Sequence, residues 1–174
     1  DGFVMDADQE QFLRPLMAFL DVSNKESERG KVLVVAAQID GMLEDVLRAF
    51  LINGKQSDAL FEGPNAPCSS MSNKANIAFA LGLISQSEFE EIEILRRIRN
   101  KFAHSVHRTM QDPEIADRIS CQKAGLEKLI EIDDPAIADP KVRFSMSSVS
   151  LVSSLYNRAH YVSKCSANFV EWPQ

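Results

Sequence analysis

Between about residues 25 and 53 the apolar residues Val32, Val35, Ala36, Ile39, Leu43, Val46, Leu47 and Phe50 recur at steps of three and four. Glu28, Asp40, Glu44 and Arg48 lie off the centre of that stripe. So long a stripe is one helix with a single buried face, and other elements must cover it. No run alternates with period two, and no hairpin dipeptide joins two strand-like segments, so the cover is helical too. The expected fold is all-α, a single-domain multi-helix bundle spanning residues 1–174.

The other segments supply the cover. Over residues 8–22, Phe12, Leu16, Phe19 and Leu20 mark a helix face that Pro15 shortens or bends. Asn53-Gly54 closes the long helix, because glycine accepts the left-handed conformation of a helix end. A short helix is expected over 57–61, followed by a Gly-, Pro- and Ser-rich loop over 63–70. Ser72 is the next expected N-cap, with Ile77, Ala78, Leu81 and Ile84 facing inward. Ser85 and Glu88 spell a capping box opening a helix over about 87–105, with Phe89, Ile92, Leu95, Ile98 and Phe102 inward. Asp112-Pro113 and Asp139-Pro140 each place a capping carboxylate before a proline at the first helical position. The second of these starts a C-terminal helix expected to run over about 140–168, and Gly125 and Asp133-Asp134-Pro135 break the chain between them.

With 45% hydrophobic and 25% charged residues, 7 Gly and 7 Pro, the chain has the makeup of a domain that folds without disulfide or metal. Its apolar runs, such as residues 32–37, are far shorter than the ~20 residues of a membrane-spanning helix. The first six residues lack the basic and apolar stretches of a leader, and Cys68, Cys121 and Cys165 show no C-x-x-C spacing. A cytoplasmic protein with reduced thiols, no metal and no cofactor is expected. The formal net charge of −6 sets the overall field against nucleic acid. A helix-turn-helix would need an exposed basic second helix, and that place is taken by Ala78-Phe79-Ala80-Leu81 and an acidic helix start, so direct DNA binding is not expected.

The chemically loaded segment is Arg99-Asn100-Lys101-Phe102-Ala103-His104. Glu88, Glu90, Glu91 and Glu93 crowd the start of its helix and Arg96, Arg97, Arg99 and Lys101 its end, an order that complements the helix dipole. A structural reading makes His104 a partner of the last helical carbonyls and Arg99 an ion-pair partner of Glu28, Asp40 or Glu44. A chemical reading joins a phosphate-holding arginine to a histidine titrating near neutral pH. Five residues at ~100° each set Arg99 and His104 roughly 140° apart on a straight helix, so that reading requires a distorted helix end or a second copy.

In the form Arg-Asn-x-x-Ala-His, the segment resembles the arginine-then-histidine signature of the HEPN superfamily of small helical domains. That resemblance implies metal-independent RNA cleavage by Arg99, Asn100 and His104, or a degenerate relative serving in RNA binding or as a toxin-antitoxin component, and it allows a homodimer across their helix. A second resemblance covers more of the chain. Glu26-Ser27-Glu28-Arg29-Gly30, Leu43-Glu44-Asp45-Val46-Leu47-Arg48, Leu60-Phe61-Glu62-Gly63-Pro64 and Ala78-Phe79-Ala80-Leu81-Gly82-Leu83-Ile84-Ser85 precede the Arg99–His104 segment. In order and spacing, from about residue 26 to 108, they resemble the mannitol operon repressor (MtlR) family. This resemblance implies an all-helical transcriptional regulator. With no recognition helix, repression would work through a protein partner, with Glu28-Arg29 and Arg99–His104 as contact surfaces. Glu28, Arg29, Asp40, Glu44, Arg99 and His104 are thus the candidate binding or clasp residues, and Arg99, Asn100 and His104 the alternative catalytic ones.

Overall fold

The computed structural model describes residues 7–63, 65–105 and 107–173, with side chains from residue 16 onward. The leader reading of residues 1–6, the packing of Phe12 and the side chain of Pro15 lie outside the described residues.

α1 (Ala7–Lys25) runs unbroken through position 15 and is longer than the sequence reading allowed. Ser27 accepts the Gly30 N–H and opens α2 (Glu28–Phe50), whose Val32, Val35, Ala36, Ile39, Met42, Leu43, Val46 and Leu47 are buried. The small helix after it, α3 (Lys55–Asp58), starts directly after Gly54 and stops before the expected 57–61 span is filled. α4 (Met71–Ala80) begins two residues earlier than expected. Ser70, not Ser72, is extended and accepts the Asn73 N–H, so the cap belongs to the residue whose backbone leaves the helix. Leu81, expected inward, caps the end of α4 and is 42% exposed.

α5 (Gln86–Ala103) carries the capping box in full: Ser85 accepts the Glu88 N–H, and the Glu88 carboxylate accepts the Ser85 N–H at 2.8 Å. Ile92, Leu95, Ile98 and Phe102 are buried, and Phe89 is half-buried, stacked on Phe79. α6 (Pro113–Ser120) and α7 (Glu127–Glu131) follow, then a 3₁₀ turn (Pro135–Ala138) and α8 (Pro140–Tyr156), where Asp139 accepts the Lys141 N–H as the cap.

The expected C-terminal helix over 140–168 is corrected: α8 ends at Tyr156, α9 (Arg158–Val162) follows, and a 3₁₀ turn (Ser163–Cys165) leads into coil. The physical reason is tertiary. Arg158 turns in to donate to the Leu83 carbonyl at 2.9 Å and the Glu88 carboxylate at 2.6 Å, while Val162 is buried and the Ala167 N–H reaches the Phe50 carbonyl. A straight continuation of α8 would forgo all of these.

α2 is the central element, packed by α4, α5, α8 and α9, and one connected core joins them. α5 returns along α2, so that the Met110 N–H beyond its end meets Glu28 in the first turn of α2. No strand occurs among the described residues, and the fold is all-helical. None of the helices is long and apolar enough to cross a membrane among those residues.

Candidate functional site

The apolar stripe of α5 faces the core, which leaves Arg96, Arg99 and Asn100 on the flank toward α2. Arg96 is fixed by two hydrogen bonds to Glu93, at 2.9 and 2.8 Å. That carboxylate raises the guanidinium further above its already high value. Arg99 is exposed. Its Nη1 donates to Asn100 Oδ1 at 3.2 Å, and it forms no ion pair among the described residues.

Facing this flank, Leu33, Ala36, Ala37 and Asp40 of α2 and Ser69, Ser70, Met71 and Ser72 at the start of α4 complete a cleft of about 640 Å³. Its floor is aliphatic. Its walls carry guanidinium, amide, hydroxyl and carboxylate groups, a mixture that suits a small polar ligand.

The carboxylates expected to hold Arg99 are engaged by other cations. Lys74, a lysine only 5% exposed, reaches from α4 to Asp40 at 3.1 Å and Glu44 at 2.9 Å. Burial pulls its pKa down, but the Glu44 and Asp40 carboxylates outweigh that and raise it. Glu44 is held below the ordinary carboxylate range, first by Lys74 and against the opposing effect of burial. The chain of charge continues through Arg48, which bonds Glu44 at 2.9 Å and Asp58 at 3.0 Å and lies 4.2 Å over the Phe61 ring. Asp40 Oδ1 is buried and has no hydrogen-bond partner among the described residues.

Glu28 is likewise a clasp, but to a different strap. Its carboxylate accepts the Met110 N–H at 2.6 Å and pairs with Lys141 of α8 at 2.6 Å. Burial pushes its pKa up, and the Lys141 and Met110 donors together overcome this and leave it lowered. Arg29 is half-buried, one turn before Leu33 on α2, and is not among the residues that line the cleft.

His104 caps α5 in a helical conformation, with its own N–H on the Asn100 carbonyl at 3.3 Å. The helix is neither broken nor distorted between Arg99 and His104, so the angular separation stands. The His104 side chain is exposed and does not line the cleft. The structure therefore brings Arg99, Asn100 and Asp40 to one cavity and leaves Glu28, Arg29, Glu44 and His104 outside its lining. Sequence reasoning missed Arg96, Lys74 and residues 69–72. The spacing of Glu93 and Arg96 on one helix face was a usable signal, whereas the approach of α4 to α2 had none.

The opposite flank of α5 borders a larger groove of about 820 Å³, walled also by α8 and residues 121–127. Glu91 at its base is 5% exposed and fully engaged. Its carboxylate accepts the Lys123 and Ala124 N–H groups and the Ser147 hydroxyl, pinning the loop after α6 to α5 and α8. Among the described residues no three His, Cys, Asp or Glu side chains gather in a way that could hold a metal ion.

No family model matches the chain and no curated protein matches it. Among solved structures it resembles a chain of the MtlR–HPr complex from Escherichia coli, with a TM-score of 0.62 and 17% identity over 84% of this chain and 99% of that one. At that identity the likeness is one of fold, and the fold is MtlR-like.

Proposed function

We propose that this protein is a transcriptional regulator of the mannitol operon repressor type that acts by docking a protein partner and does not itself grip DNA. The observation that carries the reading is the MtlR-like fold, whose solved counterpart comes from a protein–protein complex. The charge balance agrees: a chain of net charge −6 with no exposed basic recognition helix among the described residues is poorly suited to hold a duplex. The docking face in this proposal joins the Glu28-Arg29 turn of α2 to the end of α5 at Arg99–His104, a contact region carrying arginine on both helices.

Titration of the purified protein with HPr, followed by calorimetry, tests the proposal. Saturable binding is expected, weakened about ten-fold or more by Arg29→Glu or Arg99→Glu, since like charge across an interface is costly. Absence of binding to HPr, together with tight, sequence-selective retention of operator DNA at low salt by the protein alone, would overturn it. The same preparation settles the ribonuclease alternative. Metal-free cleavage of RNA by the wild type that disappears in His104→Ala would move the assignment to an enzyme.

A further inference from the structure

The cleft between α2, α4 and α5 has a composition that protein docking does not require. It is concave, and at about 640 Å³ it falls within the ~300–1,000 Å³ typical of small-molecule sites. Two guanidinium groups enter it, and their states differ. Arg96 has its charge matched by Glu93, while Arg99 has no carboxylate partner among the described residues and is steadied by the Asn100 amide oxygen. The one carboxylate in the lining, Asp40, pairs through Oδ2 with Lys74, which also serves Glu44, and its Oδ1 is buried without a hydrogen-bond partner among the described residues. Among the charged groups that line the cleft, Arg99 is the cation left without a carboxylate partner among the described residues, on a molecule whose formal charge is −6. Opposite the arginines stand Ser69, Ser70 and Ser72, of which Ser70 already accepts the Asn73 N–H and can still donate its hydroxyl proton. Leu33, Ala36, Ala37 and Met71 give a short aliphatic floor.

We infer that this cleft is a binding site for a small organic oxyanion, a phosphate monoester or a carboxylate. Its anionic group would meet the Arg99 guanidinium and the serine hydroxyls, and its carbon skeleton would lie on the α2 floor. Planar guanidinium and paired oxyanion oxygens match in charge and geometry. The site shares Arg99 with the proposed docking face, but its occupation by a small oxyanion needs neither HPr nor DNA.

Amide chemical-shift titrations of the whole protein with inorganic phosphate, glycerol 3-phosphate and succinate test it and separate the two oxyanion sources. Expected are saturable shifts confined to residues 69–72 and 96–100 with the phosphate probes, with succinate, or with both. Arg99→Gln should weaken that binding by about ten-fold. Ala37→Leu, which fills the floor while keeping every charge, should weaken the organic probes more than inorganic phosphate. Arg97→Gln, on the opposite flank of α5, should leave the affinities within about two-fold. Lack of saturation with all three probes, or equal loss in Arg97→Gln and Arg99→Gln, would overturn the site, and neither result bears on HPr binding.

Discussion

Glu88 does three jobs with one carboxylate: it completes the capping box of α5, anchors Arg158 and thereby fixes where α8 ends. Burial pushes its pKa up, yet the Ser85 N–H and the Arg158 guanidinium hold it below the ordinary value of 4.5. A carboxylate lowered on folding contributes stability that is complete above the unfolded value and is lost as pH falls through the folded one. Glu28 and Glu44 are shifted in the same direction, so the acid side of the stability curve should decline below about pH 4.5. Glu88→Gln should cost about 1–3 kcal/mol at neutral pH, measured from urea midpoints, and should flatten that acid decline. An acid limb as steep as the wild type would refute the assignment. Asp40 and Glu44 show what residue types alone leave open. They were natural partners for Arg99 by charge, but Lys74, 34 positions from Asp40, arrives first in space. That choice is made by the packing of α4 on α2, which no local spacing encodes.

At the scale of elements, the starts of helices were easier to read than their ends. Ser85 with Glu88 and Asp139 with Pro140 announce α5 and α8 because a cap is a local hydrogen bond between neighbours in sequence. The end of α8 is set by Arg158, Val162 and Ala167 meeting partners far away in the chain, and no local signal near Tyr156 marks it. The cleft was half legible for the same reason. Arg99 and Asn100 stood out within one segment, while the serines opposite them come from a loop whose approach is tertiary. The loop after α6 offers a sharper test of element packing. Gly125 has φ +68°, and a Cβ there would lie 2.7 Å from the Ser150 Cβ and Oγ of α8. Gly125→Ala should therefore lose about 2–4 kcal/mol through backbone strain and a forced shift at α8, seen as a lower midpoint in chemical denaturation. Alanine at Gly41, where nothing lies within 4 Å, provides the matched control and should be neutral or stabilising, as expected in a helix interior. Equal effects at the two positions would contradict the packing described.

Across the whole molecule, α2 is surrounded and the periphery is thin, so the chain should unfold as one unit and protect its centre until it does. The thiols report this directly. Cys121 and Cys165 are exposed, while Cys68 is 2% exposed, and burial pushes its thiol pKa up. A native-state reaction with a thiol reagent should therefore label Cys121 and Cys165 quickly, with Cys68 following only at the rate of global opening. Fast labelling of Cys68 would place it in a mobile subregion instead.

The position of α5 has a further consequence. It is the common wall of both cavities, with Arg96, Arg99 and Asn100 turned to one and Phe89, Ile94 and Arg97 to the other. Its inner stripe, Ile92, Leu95, Ile98 and Phe102, is packed into the core between them, so a substitution that repositions α5 should reshape both cavities together.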